Sequence, residues 1–438
     1  MTDTARTADI ETLLDRPFGG WRLMVFLLCG MVMAIEGFDM YMLGAMVRDL
    51  AGGLGVPPAA VTSIFIAQGF GLAAGYVFIA PLADKFGRRP LILACVLGFG
   101  LLTLATTQAT TLREVSALRF AAFLFFGGIM PNVISLIAEY SAFKSRSRNV
   151  ILLNACFAIG AAMGSLIAPW LVSRFGWQGA FWAGGIAPLA MLPVLFLLLP
   201  ESARFMAVKG RPADHIRKVM RRIAPEAANV ERFTTLEPPA GKVPIAALFS
   251  EGRLANTLLF MLAGGMMMFV GNLVASWAPT YWNSFAGYTM AEAAGLFSSS
   301  SIGAIVWPFI MIVLIGWIGV RRSLVACYLL GAVAMLVFAV QPVTHALAIF
   351  VAVTYGAFVV GAISGLYALI ASAYPTHMRA TALGWTSGLG RLLSIAGPAM
   401  GGYMLYQQWG QTAIALVFSI PLAIAGAAIL AVRLKQRV

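Results

Sequence analysis

Charge is scarce in this sequence, and acid is scarcer than base. Only 11% of its 438 residues are charged, and 17 Asp and Glu face 30 Lys and Arg. Beyond Glu251 a single acid remains, Glu292, at the outer mouth of an apolar segment, so the second half has no carboxylate to place inside a membrane. Histidine is rarer still. His215, His345 and His377 fall in loops or at segment ends, and no nucleophile–base pair or metal-ligand spacing surrounds them. That argues against an enzyme, and neither a metal nor a cofactor is expected. The four cysteines, Cys29, Cys95, Cys156 and Cys327, all sit inside apolar segments, where a disulfide framework or zinc site is out of place; they read as small packing residues. The first 20 residues carry Asp3, Asp9, Glu11 and Asp15, and the apolar segment after them is too long for a signal-peptide core and lacks a small-residue cleavage site. Residues 1–20 are therefore expected to be a retained cytoplasmic tail.

What the chain has in excess is apolar sequence, 60% hydrophobic residues with a mean hydropathy of +0.87. No soluble domain of this length has that composition, and the class implied is a polytopic membrane protein. Apolar runs between turn and charge signals give twelve spans, at 21–47, 58–82, 90–109, 116–139, 149–172, 178–199, 256–282, 292–316, 322–341, 346–372, 381–404 and 411–432. The net charge of +13 would suit nucleic acid, but the basic residues lie in alternate loops: 25 of the 30 fall on one side of the implied membrane and three on the other. Nucleic acid is thus not an expected partner; the lipid bilayer is. The bias predicts both termini inside, a tail at 433–438 and a central cytoplasmic loop at 200–255 that splits the spans six and six. Within that loop, Pro212 to Ile223 reads as a short basic amphipathic helix suited to the anionic inner leaflet.

The halves at 21–199 and 256–432 repeat. Gly87 aligns with Gly319, Tyr140 with Tyr374, Arg148 with Arg379 and Pro169 with Pro398, at offsets between 229 and 234. A duplicated six-helix unit is how alternating-access carriers are built, with a site between the halves near the midplane. The expected fold is an all-α membrane protein, twelve transmembrane helices in two pseudo-symmetric six-helix bundles.

Two acids stand in the first span, Glu36 and Asp39, three residues apart and so on one helix face. A carboxylate at that depth costs several kcal/mol and needs a partner or a task. Two readings stay open: pairing with basic residues of neighbouring helices, or proton or cation coupling, since two acids so close can share one proton. Arg391 lies mid-span in a segment with no acid of its own half to meet; it suits either the carboxylate of a ligand or an ion pair with Asp39 or Glu36. Arg119, near the outer end of the fourth span, suits a structural pair, a snorkelling contact or a place near the proton site. Asn132, Asn154, Asn272 and the run Ser298 to Ser301 are either cavity contacts or glue between helices. Asp84, Arg88, Arg89, Glu139, Arg148, Glu201 and Arg379 lie at inner span ends, where ion pairs could form and break as a gate.

The loop Pro81-Leu-Ala-Asp84-Lys-Phe-Gly87-Arg88-Arg89-Pro resembles the second-to-third-helix motif of the major facilitator superfamily, with Ala80 in place of its first glycine. Leu199-Pro-Glu201-Ser-Ala-Arg204-Phe resembles the sugar and organic-ion porter branches. More narrowly, Glu36-Gly-Phe-Asp39, Met130-Pro-Asn132, Glu139-Tyr140, Phe175-Gly-Trp177, and the run from Tyr374 through Arg379, Gly384-Trp385 and Gly388-Leu-Gly-Arg391 to Gly397-Pro398 resemble the aromatic acid:proton symporter family. That resemblance implies uptake of a benzoate-, hydroxybenzoate- or vanillate-like anion with protons across the plasma membrane. It makes Glu36 and Asp39 the proton-coupling pair and Arg391 the anion anchor. Arg119, Asn132, Asn154, Asn272, Ser298 and Tyr367 are candidate ligand contacts, and Trp277 and Tyr281 suit stacking on an aromatic ring. A monomer is expected. The departures are Glu36 for the usual Asp, Gly316 where the second half would carry an acid, and Ile363 and Tyr367 where the family tends to place Gln and Asn. Uptake of another organic anion or a sugar-like solute, and a receptor that binds without transporting, are the competing functions.

Overall fold

The computed structural model describes residues 7–16, 19–142, 145–235, 248–250, 253–339, 344–374 and 379–432. In an apolar medium each backbone N–H and C=O must be paired within its own segment, so long apolar runs become helices. After β1 (Thr7–Asp9) and α1 (Ile10–Leu14), the first half runs α2 (Gly20–Met42), α3 (Thr62–Ala74), α4 (Arg88–Thr106), α5 (Leu112–Glu139), α6 (Arg146–Phe175) and α7 (Trp177–Leu198). Two short helices, α8 (Ala203–Val208) and α9 (Ala213–Met220), and β2 (Arg232–Thr234) occupy the central connection. The second half runs α10 (Leu254–Ala286), α11 (Met290–Ser298), α12 (Ser300–Ile318), α13 (Val320–Leu336), α14 (His345–Tyr355), α15 (Ile363–Ala373), α16 (Arg379–Tyr406) and α17 (Gln411–Ala431).

All twelve expected spans carry helix. Ten are long and apolar enough to cross a bilayer by themselves among the described residues. The other two are α13, prolonged by a 3-10 turn at Val337–Ala339, and α16, of 28 residues. The first span ends at Met42 rather than 47, because Leu43 to Met46 form a turn there. Gly44 in that turn lies so close to α10 that an added Cβ would press on the carbonyls of Ala275 and Ser276. Two spans contain stretches of wider π-type helix, Gly75–Ile79 after α3 and Gly356–Gly361 after α14; such stretches recur at functional sites.

The glycines aligned by the repeat do the same local job. Gly87 (φ +107°) and Gly319 (φ +80°) each turn the chain between two spans in a conformation that side chains rarely adopt. Small residues also bring backbones together. α2 and α6 cross where Gly160 and Gly164 abut the carbonyls of Ala34 and Phe38, leaving no room for a Cβ.

The face carrying the N-terminal segment is more built than a free tail and loop. β1 pairs in parallel with β2, Thr7 opposite Arg232 and Asp9 opposite Thr234. Ile10, Leu13 and Leu14 are buried in the first half's core, and the buried Arg22 guanidinium donates to the carbonyls of Leu14 and Arg16. The amphipathic helix begins after Pro212 as expected, but its apolar residues Ile216 and Met220 are buried against protein. That side of α9 is therefore not available to lipid, contrary to the sequence expectation. The tail at 433–438 and parts of 1–20 and 200–255 lie outside the described residues.

Candidate functional site

Between the halves lies a cavity of about 50 Å³, walled by Tyr41, Gln68 and Phe123 from the first half and by Asn272, Ser276 and Arg391 from the second. That volume holds a water or two and no aromatic ring, so a ligand of that size requires the halves to part. Away from the N-terminal face the cavity is shut. Tyr41 stacks on Phe297 with centroids 6.4 Å apart, and Trp282 meets the edge of that ring at 6.1 Å. Ser301 Oγ donates to the Ala158 carbonyl at 3.0 Å, and Arg48 Nη2 to Ser284 Oγ at 2.8 Å. The Tyr41–Phe297, Ser301–Ala158 and Arg48–Ser284 contacts join one half to the other, and Trp282 braces Phe297 from within the second half.

Arg391, on α16, reaches across the interface. Its Nη2 donates to Tyr76 Oη at 2.8 Å and its Cζ lies 3.9 Å from the Tyr76 ring centroid. Tyr76 sits in the wider turn after α3. Among the described residues the guanidinium has no carboxylate within ion-pair reach, and Tyr76 is its one hydrogen-bond acceptor, so much of its planar donor fork is unspent.

The two acids of α2 go to different places. Asp39 is fully buried in the first half and ion-paired with the equally buried Arg119. Arg119 Nη1 donates to Asp39 Oδ1 at 3.2 Å and approaches Thr103 Oγ1 at 3.4 Å; Nη2 donates to Oδ2. The Gln68 amide, oriented oxygen-first as the network requires, accepts from Arg119 Nη2 at 2.9 Å and Nε at 3.0 Å. The rings of Phe123 and Phe181 flank the guanidinium at 4.9 and 5.2 Å. Gly184 makes room: a Cβ there would stand 3.1 Å from Asp39 Oδ1. Glu36, 1% exposed, has no hydrogen bond to either carboxyl oxygen and lies in the fields of Arg391 and Asp39. The acids thus do not form one hydrogen-bonded dyad: Asp39 is paired with Arg119, and the Glu36 oxygens have no hydrogen bond.

Several expected ligand contacts are occupied elsewhere. Arg119 is spent on Asp39 and Gln68, behind the cavity wall. Asn132 donates to the carbonyls of Gly128 and Ala80, tying α5 to the end of the second span. Trp277 Nε1 donates to the Pro398 carbonyl at 2.9 Å and Tyr281 Oη to that of Gly401 at 2.7 Å; both side chains are fully buried and clamp α10 to α16. Ser298 bonds back to Gly295, and Asn154 to Val150. Asn272 does line the cavity, and Tyr367 is not among the residues that wall it.

The expected gate residues also cluster, but within one half. Arg88 Nη1 is 3.1 Å from Asp84 and its Nη2 3.3 Å from Glu139. Glu201 accepts from the backbone N–H groups of Arg88, Arg89 and Ser202, capping α4 where Gly87 turns, and burial pushes its carboxyl above the usual range. Arg89 donates to the Phe196 carbonyl. Arg148 is exposed near the start of α6, and the Arg379 side chain lies outside the described residues. Pairing across the halves at this face is therefore not seen among the described residues.

Sequence reasoning missed Tyr76, Gln68, Thr103 and Tyr41. A lone glutamine in the apolar run of α3 was the one available signal, since the others are common in spans as packing residues.

A carrier fold, with two six-helix halves enclosing a charged cavity, is the class these features define. The Major Facilitator Superfamily model matches residues 28–398, and the chain belongs to that superfamily. It is 33% identical over 433 residues to a gallate transporter of Pseudomonas putida, covering 97% of this chain and 94% of the relative. It is 31% identical to a 4-hydroxybenzoate transporter of Acinetobacter baylyi, covering 96% and 93%. Among solved structures it is similar to the inward open xylose transporter of E. coli, with a TM-score of 0.73 at 14% identity over 95% of this chain and 97% of that one; that likeness concerns the fold. The chain is a multi-pass membrane protein.

Proposed function

We propose that this protein takes up a monocyclic aromatic carboxylate together with protons by alternating access, across the plasma membrane, with both termini cytoplasmic. The observation that carries the reading is Arg391, a guanidinium from the second half lining the interface cavity with most of its donor fork unspent, in a chain whose relatives are named as transporters of gallate and of 4-hydroxybenzoate. A planar fork binds a carboxylate bidentately. Asp39 is a group that exchanges a proton, because ionised it holds Arg119 and protonated it releases it; the change falls on Gln68 and Phe123, which touch Arg119 and also wall the cavity. Tyr41 and Phe297 form the outer closure, and the Asp84–Arg88–Glu139 cluster with Glu201 steadies the inner end of the first half as the halves move.

Binding of 4-hydroxybenzoate to the purified protein, set against 4-hydroxybenzamide, tests the anchor. The acid binds and the amide does so far more weakly. Equal binding of both, or of neither, removes Arg391 as an anion anchor and the aromatic acid as the cargo.

A further inference from the structure

We infer that Glu36 competes with the cargo carboxylate for Arg391, so that cargo binding and protonation of Glu36 occur together; this rests on the reading of Arg391 as the anchor. Glu36 is one helical turn from Met40, which lines the cavity, and so lies on the same face of α2. It is buried, and both its carboxyl oxygens lack a hydrogen bond. A carboxyl group so placed is an anomaly in a folded interior, where polar atoms are normally paired.

Its surroundings say what it answers to. From α16 comes Arg391, and from its own helix Asp39, which Arg119 already engages. From the second span comes Tyr76, whose hydroxyl accepts from Arg391, and from α4 comes Cys95. Tyr367, of α15, acts on Tyr76 from the second half. Of these groups only Arg391 is a cation not already held by an acid. Glu36 is therefore the local source of negative charge for Arg391 when the cavity holds no anion, at longer range than a contact pair.

A cargo carboxylate that takes the unspent edge of Arg391 brings a second negative charge beside Glu36. The balance is simple: the cargo anion enters with its charge, Glu36 takes one proton from water on the loading side, and the number of charges facing Arg391 stays at one. Asp39 adds its field at Glu36 but gives up no proton in this exchange, because Arg119 holds it. The two acids thus have separate tasks, Glu36 at binding and Asp39 in the movement of the halves.

Calorimetry of 4-hydroxybenzoate binding to the full-length protein, from acidic to alkaline pH and in buffers of different ionisation enthalpy, reads both affinity and proton uptake. Wild-type protein takes up a proton on binding, and its affinity falls as pH rises. Glu36→Gln binds about tenfold tighter at alkaline pH, the scale of one charge removed about 12 Å away at an effective dielectric constant of about 20, and takes up no proton. Glu36→Asp restores the proton uptake, which shows that the loss in the glutamine variant is not misfolding, and Asp39→Asn retains it. Unchanged or weaker binding by Glu36→Gln, or proton uptake that persists in it, overturns the competition while leaving the anchor in place. Wild-type protein that binds no aromatic acid overturns both.

Discussion

Replacing Arg119 with leucine removes every charge partner that Asp39 has among the described residues and leaves its carboxyl group in a fully buried site. Removing one member of such a pair costs about 3–5 kcal/mol, because the remaining charge is buried without compensation. Asp39→Asn also leaves a buried charge, a guanidinium that stays protonated, but it costs less, since that guanidinium keeps the Gln68 amide oxygen and the rings of Phe123 and Phe181. The double variant, Arg119→Leu with Asp39→Asn, has no buried charge at this site and regains most of the stability lost by Arg119→Leu alone. Thermal inactivation of the detergent-solubilised protein ranks the three: Arg119→Leu lowest, with the double variant and Asp39→Asn between it and wild type. None of them accumulates cargo against a gradient. If Arg119→Leu is as stable as wild type, or if the double variant still accumulates cargo, the buried pair is neither the structural nor the coupling element described above.

Arg391→Lys keeps the charge and loses the fork, so it weakens aromatic acid binding, while Arg391→Ala loses about 2–5 kcal/mol of affinity; the corresponding amide shows little change with either, by equilibrium binding. Trp277→Phe breaks the bond to the Pro398 carbonyl and lowers stability by about 1–2 kcal/mol with no change in cargo affinity, which separates a helix clamp from a ring-stacking contact. Gly160→Val forces a side chain into the Ala34 carbonyl and abolishes folded protein in expression and size-exclusion assays, whereas Gly316→Ala, with nothing within 4 Å of its Cβ position, behaves as wild type.

Much of this molecule is legible in its sequence because a membrane makes some features expensive. Apolar length alone places the twelve spans, and the cost of charge inside them singles out Glu36, Asp39, Arg119 and Arg391. The repeat pairs Gly87 with Gly319, and the structure gives both the same positive-φ turn. Partnership is less legible. Nothing in the spacing of residues says that Asp39 meets Arg119 while Glu36 is left without a hydrogen bond, since that depends on how the helices are rotated against one another. The donors of Asn132, Trp277 and Tyr281 look the same in sequence whether they meet a ligand or a neighbouring carbonyl, and here they meet carbonyls. The amphipathic pattern of α9 is equally ambiguous, because a protein surface and a lipid surface bury Ile216 and Met220 alike.

The most direct test of the central claim is uptake of radiolabelled 4-hydroxybenzoate into proteoliposomes containing this protein, with a proton gradient imposed inward and no sodium present. Accumulation above the external concentration, abolished by a protonophore and absent with Asp39→Asn, is the predicted result. Uptake that survives the protonophore and collapses when sodium is removed, or no uptake of any aromatic acid under an imposed proton gradient, contradicts it.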